Sequence, residues 1–162
     1  MGIPFTKSTK LNSIMDMDFK VAEVELAYKP TRHDKVKVTD AYKAYSLLRA
    51  TYKEGQMQYR EYFKVIYMNQ AGDCVAYNTV GEGGITDCPA DIRLILQGAL
   101  LTNATRIIVA HNHPSGNLTP SRDDDKLTMR IKEACETLRI HFDDHLVISE
   151  EGYYSYREQG RI

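Results

Sequence analysis

Neither sign of charge dominates this sequence. Its 162 residues carry 21 lysines and arginines against 22 aspartates and glutamates, a formal net charge of −1. No polyelectrolyte field therefore marks nucleic acid as the main partner, and charge alone does not support one. Long apolar runs are missing too. Nothing approaches the roughly 18 residues of a membrane span, and the opening MGIPFTKSTK lacks the apolar core of a secretion signal. Cysteine is sparse: Cys74, Cys88 and Cys135 form no CxxC pair. That argues against a disulfide framework and a thiolate zinc knuckle and leaves a cytoplasmic, reducing setting as the expectation. Internal repeats and low-complexity linkers are absent as well. The length suits one domain and is short for two, so a single domain over residues 1–162 is expected, with residues 1–18 lying loosely over it.

What is present is an alternation of strand and helix patterns. Phe19 to Tyr28 alternates as a strand does. Thr39 or Asp40 caps a helix over roughly Ala41 to Tyr52, with Ala44, Leu47 and Leu48 inward. Tyr59 to Met68 reads as a strand, Asn69 to Asp73 as a turn, and Cys74 to Val80 as the returning hairpin partner. Gly81-Glu82-Gly83-Gly84 reads as a flexible loop. Asp87 opens a helix to about Asn103, with Ile92, Ile95, Leu96, Ala99 and Leu100 at helical spacing. Thr105 to Ala110 is a buried strand, and Ser121 to Arg139 a helix with Leu127, Ile131, Ala134, Cys135 and Leu138 inward. Ile140 to Ile148 and Tyr153 to Tyr156 close the chain as strands. The pattern predicts an α/β fold with one mixed sheet covered by helices.

The chemistry concentrates in RIIVAHNHPSGNLTPSRDDD, Arg106 to Asp125. Alternate residues of an extended chain face one way, so His111 and His113 can present their imidazoles to one point. Asp124, at the start of the next helix, can supply a third ligand. Two imidazoles and one carboxylate, with room left for water, describe an open catalytic zinc site rather than a closed structural one. A plainer reading covers part of the stretch. Ser121-x-x-Asp124 resembles a capping box, and Asp123, Asp124 and Asp125 suit the positive end of a helix dipole. The two readings are compatible, because an aspartate in the first turn can point back to the strand while Ser121 still caps. An HExxH motif is absent, and an HxHxDH pattern fails because Ser115 stands where it needs aspartate.

Hydrolysis at such a metal needs a base beside the water. In an extended Tyr59–Met68 strand, Glu61 shares the more apolar face with Tyr59, Phe63, Val65 and Tyr67. It points inward on that reading; on the other it sits solvated at the strand mouth. Glu82 is the alternative base. Asp144 and His145 read either as a pair that orients a ligand or as a hydrogen-bonded core pair. His33 and His141 read as surface or edge residues. Tyr153, Tyr154 and Tyr156 can stack on bases, but with few basic neighbours they read as packing residues.

HNHPSGNLTPSRDD resembles the signature of the RadC-like proteins, members of the JAMM (MPN+) zinc metallohydrolases. The resemblance extends through REYFKVIYMNQAG, GGITDCPADIRLILQGALLTNATRIIVAHNHPSG, DDHLVIS and SYREQG, and covers roughly Tyr59 to Ile162. It implies a sandwich fold similar to that of cytidine deaminases. It also implies zinc bound by His111, His113 and Asp124, Glu61 as the acid that activates water, and Ser121 steadying the water or the developing oxyanion. The activity it implies is a metallopeptidase acting on peptide or isopeptide bonds of a peptide or protein substrate. The family's DNA-repair label offers a second class, an accessory protein that binds nucleic acid or a repair partner. Longer RadC-type proteins carry an N-terminal helix-hairpin-helix module; residues 1–58 show no Gly-x-Gly hairpin, which weighs against direct DNA contact.

Overall fold

The computed structural model of the protein describes residues 35–85 and 89–162. The strand expected from Phe19 to Tyr28, the segment 1–18, His33, Asp87 and Cys88 lie outside them. The elements run α1 (Ala41–Arg49), α2 (Gln56–Tyr59), β1 (Tyr62–Met68), β2 (Cys74–Glu82), α3 (Ile92–Leu101), β3 (Arg106–Asn112), α4 (Arg122–Thr137), β4 (His141–Ile148) and β5 (Tyr153–Ser155).

Among the described residues one five-stranded sheet has the order β2-β1-β3-β4-β5. Strand β1 is antiparallel to β2 and β3, β3 is parallel to β4, and β5 is antiparallel to β4. The central strand β3 is covered on both faces, which explains its unbroken apolar run. Ile66, Met68, Ile108, Ala110, Leu146 and Ile148 pack on one face with Ala44, Tyr45 and Leu48 of α1. Phe63, Val65, Tyr67, Ile107 and Val109 pack on the other with Ile95 and Ala99 of α3 and Ile131 and Cys135 of α4. This is the α/β mixed sheet between helices that the pattern predicted.

Several boundaries differ from the sequence reading. Gly55 at φ +72° turns the chain, and Gln56–Tyr59 curls into a helical turn. Strand β1 therefore begins at Tyr62, and Tyr59 is 66% exposed instead of facing inward. The GEGG segment is partly strand: β2 runs through Glu82. Helix α3 starts at Ile92 under an Asp91 cap, whose side chain accepts from Arg93 N. Leu100 is 59% exposed, because five residues beyond Ile95 is about 140° round a helix. Leu138 ends α4 as its C-cap and is exposed rather than inward.

Where β3 meets β4 the register slips. Ile107 pairs with Phe142, but Ile108 pairs with Asp144, so Asp143 is an extra residue and the strand bulges there. The bulge sets the facing of the next two residues. His145 falls beside Val109, on the α3–α4 face, and Asp144 beside Ile108, on the α1 face. Asp144 is buried and ties down the C-terminal segment. Its Oδ1 accepts from His145 N at 2.8 Å and Arg157 N at 3.0 Å, and its Oδ2 accepts from Ser155 Oγ at 2.5 Å.

Replacing Asp144 by alanine leaves these buried donors unpaired and is expected to cost about 2–4 kcal/mol in urea unfolding; a loss under about 0.5 kcal/mol would contradict the assignment. Burial raises the Asp144 pKa despite its hydrogen bonds. For a carboxyl raised in the folded state, the stability it contributes is present below the unfolded value of 3.8 and lost as pH rises through the folded one. Asp144→Asn has no such group. Its stability relative to wild type should therefore improve as pH rises above about 4, and a pH-independent difference would contradict this.

Candidate metal centre

Strand β3 delivers the histidines at its carboxyl end, where crossover folds leave space for ligands. His111 pairs with Phe63 across the ladder, their rings parallel within 2° at 6.1 Å. His113 lies beyond the last residue of β3, but its N–H donates to Ile148 O at 3.2 Å, which extends the ladder and keeps both imidazoles on one face. Pro114-Ser115-Gly116 then turns the chain, with Gly116 at φ +77° and its N–H on His113 O. The turn brings Asn117 O to 2.5 Å from His113 Nδ1. A carbonyl only accepts, so Nδ1 carries the proton and Nε2 presents a lone pair.

Helix α4 opens against these rings. Ser121 is its N-cap, and the capping box is complete. Ser121 Oγ accepts from Asp124 N at 3.1 Å, while Asp124 Oδ2 accepts from Ser121 N and Oγ, both at 2.7 Å. The other carboxylate oxygen is left to face the strand. Asp124 Oδ1 lies 3.2 Å from His111 Nε2, Oδ2 lies 3.9 Å from His113 Nε2, and the two Nε2 atoms are 3.0 Å apart. A tetrahedral zinc with nitrogen and oxygen ligands at about 2.0–2.1 Å needs donors about 3.3 Å apart. The donor set and its spacing fit that ion, and among the described residues this is the group that brings three such ligand atoms together. The neighbouring aspartates are engaged elsewhere: Asp123 accepts from Lys126, and Asp125 from Tyr156 Oη and Arg161.

His111 is buried, whereas His113 and Asp124 are partly exposed, so the centre opens to solvent. It opens into a cleft of about 790 Å³ whose walls include Glu61, Phe63, Ile85, Ser115, Ser121 and Leu127. Glu61 is buried just before β1. Its N–H donates to Gly84 O at 2.8 Å, and its carbonyl accepts from Gly83 N at 2.9 Å. Of the two readings of Glu61, inward or solvated at the strand mouth, the inward one is what the structure has. Glu82, the alternative base, is exposed beside Arg60 at 3.7 Å and does not line this cleft.

Sequence reading passed over Asn112, the residue between the two histidines. It points to the opposite face, is fully buried, and meets its hydrogen-bonding capacity on one segment. Its Oδ1 accepts from Tyr62 N at 2.8 Å and Tyr52 Oη at 3.2 Å. Its Nδ2 donates to Met57 O at 2.7 Å and Arg60 O at 2.9 Å. Asn112 thus fixes the chain on either side of Glu61. The Asp144–His145 pair meets through the His145 N–H on Asp144 Oδ1, but alternation along β4 turns the His145 ring to the other face and sets its Nε2 2.9 Å from His111 Nδ1. Tyr156 is buried and stacks on the His145 ring, 5.0 Å between centroids and 8° between planes. It is a packing residue, as read. His141 sits exposed at the edge against Asp143.

Electrostatics favour the forms a metal would need. Burial, then the adjacent His111 ring, lowers the His113 pKa, against the Asn117 carbonyl and Asp124 pulling it up. Burial works to raise Asp124, but the hydrogen bonds it accepts, those of the Ser121 donors among them, outweigh it and hold the carboxyl well below its usual range. Neutral imidazole beside ionised carboxylate is the ligand-competent combination.

A helix-covered mixed sheet, with a His-His-Asp group able to hold a metal at the end of its middle strand, is consistent with a JAB/MPN-like domain. A family model described as RadC-like JAB domain matches residues 38–161, and the chain belongs to that family. Among relatives, a UPF0758 protein of Streptococcus gordonii is 32% identical over 158 residues, and one of Streptococcus sanguinis 36% over 159; each comparison covers 98% of this chain and 66% of the relative. A UPF0758 protein of Porphyromonas gingivalis is 38% identical over 99 residues, 60% of this chain and 44% of the relative. The chain thus spans just under two-thirds of the streptococcal relatives' length.

Asn112→Ala leaves the Tyr62 N–H and the Met57 and Arg60 carbonyls without partners. At about 1–3 kcal/mol for each buried group, a loss of at least about 3 kcal/mol is expected in urea unfolding. A loss under about 1 kcal/mol would show that Asn112 does not hold the Glu61 segment.

Proposed function

We propose that this chain is a zinc-dependent hydrolase of the JAMM type, a metallopeptidase cleaving peptide or isopeptide bonds in a peptide or protein substrate. The observation that carries the reading is the convergence of His111 Nε2, His113 Nε2 and an Asp124 carboxylate oxygen at the mouth of a cleft that Glu61 also lines. Zinc held by such a set lowers the pKa of a coordinated water towards neutrality and polarises a carbonyl. The remaining work falls to the chain's own groups. Glu61, buried in the cleft wall, takes the proton from the attacking water and returns it to the departing amine. Ser121 steadies the oxygen that gains charge. It can release its hydroxyl for this because Asp124 Oδ2 keeps the Ser121 N–H at 2.7 Å.

The lining favours an amide over a phosphodiester. Glu61, Asp123 and Asp124 contribute carboxylates, and none of the described lining residues is lysine or arginine. A nucleic-acid backbone needs cationic contacts, which the described lining of this cleft does not offer. The covered faces of the extended substrate would be the apolar Phe63, Ile85 and Leu127. Among the described residues no helix is long and apolar enough to cross a membrane.

Elemental analysis should find one equivalent of zinc in the wild type and loss of it in His113→Ala. Glu61→Gln should keep the metal and lose at least about 10²-fold in turnover of an amide-linked conjugate drawn from a substrate library. Loss of the metal from Glu61→Gln would assign Glu61 as a ligand or a prop. DNA retardation indifferent to chelators and to His113→Ala would favour a nucleic-acid-binding accessory role instead.

A further inference from the structure

Behind His111 a line of hydrogen bonds crosses three elements and comes back to the residue of another ligand. His111 Nδ1 lies 2.9 Å from His145 Nε2, His145 Nδ1 lies 2.6 Å from Thr128 Oγ1, and Thr128 Oγ1 lies 2.6 Å from Asp124 O. His145 and Thr128 are buried, with no water-facing surface to supply other partners. The direction of the protons follows from the far end. The Asp124 carbonyl has no proton to give, so the Thr128 hydroxyl donates to it, as helix-interior threonines do to the fourth residue back. Thr128 Oγ1 must then accept from His145 Nδ1–H. His145 Nε2 is left with its lone pair and accepts from His111 Nδ1–H. The Nε2 of His111 therefore carries no proton and faces His113 and Asp124.

We propose that His145 and Thr128 are positioning residues, a one-way relay, polarised by the Asp124 main-chain carbonyl, that locks His111 in the tautomer able to bind metal. The relay joins the strand ligand of β3 to the helix ligand of α4 through β4. His113 needs no such device, since its Nδ1 meets a carbonyl directly. The arrangement also accounts for the bulge at Asp143. Had the pairing run on in register through Asp143, His145 would lie beside Ala110 on the α1 face and Asp144 beside Val109, behind the ligand. This inference rests on the metal reading of the site, and its test separates the two.

Zinc alone is titrated into the full chain against a chromophoric chelator, and the tautomer of each histidine is read by nitrogen-15 NMR on the metal-free protein. The wild type should bind zinc, with His111 present as the Nδ1–H form. Thr128→Val, close in shape and lacking the hydroxyl, should weaken zinc binding by about 10-fold, and His145→Phe by up to about 100-fold. His111 should lose its single tautomer in both. His145→Gln, whose amide oxygen can take the His111 proton, should recover most of the affinity; a purely space-filling role predicts no such rescue. Should His145→Phe fail to fold, Thr128→Val and His145→Gln carry the test. Wild-type affinity in Thr128→Val and His145→Phe, or an Nε2–H His111 in the metal-free wild type, overturns the relay while leaving the metal site standing. A wild type that takes up no zinc overturns the metal reading, and the relay's purpose with it.

Discussion

Asp124 serves two structures at once. One carboxylate oxygen closes the capping box of α4 on Ser121, and the other reaches His111 at the end of β3. A helix start and a strand end are thereby held in one relation. The three ligand atoms depend on that relation, because the histidines come from the strand and the carboxylate from the helix. The helix dipole places partial positive charge where a cation would sit, an arrangement that anionic first-turn residues offset. Asp123 and Asp125 offset it while turned to other partners, which leaves Asp124 alone to face the imidazoles.

Alternation along extended chain lets neighbouring residues divide the work between chemistry and support. In His111-Asn112-His113 the histidines face the cleft, and the asparagine, on the reverse face, holds the segment that carries Glu61. In Asp144-His145 the aspartate anchors the C-terminal turn and the histidine backs a ligand. Neither pair acts as a unit, although each is contiguous in sequence. Among the described residues Asn112, Thr128 and His145 are buried polar side chains that hold the site, and each meets hydrogen-bond partners there.

What was legible in the sequence was local. The His-x-His step with Ser121 and Asp124 at fixed spacing, the capping box, the β1–β2 hairpin and the burial of β3 all rest on periodicity or short-range chemistry, and the structure has them. Glu61 was legible as to facing, though for a partly mistaken reason: Tyr59 is not in the strand, and the extension of the ladder through Gly83 and Gly84 keeps Glu61 in line. What was not legible depends on partners far along the chain. Asn112 bonds to residues fifty or more positions away, Thr128 meets His145 across a helix and a strand, and the Asp143 bulge is a property of the β3–β4 register. Periodicity carries no signal for any of these. The end of α3 shows the opposite failure, where helical spacing placed Leu100 inward although the face is too narrow to include it.

The claim underlying all of this is that two imidazole nitrogens and one carboxylate oxygen share a single ion. X-ray absorption at the zinc edge of the metal-loaded protein tests it directly. The account predicts a first shell of about four nitrogen and oxygen atoms near 2.0 Å, with the multiple-scattering signature of two imidazoles and no sulfur. A shell containing sulfur, a six-oxygen shell without imidazole scattering, or the same spectrum after His111 and His113 are both replaced by alanine would contradict it.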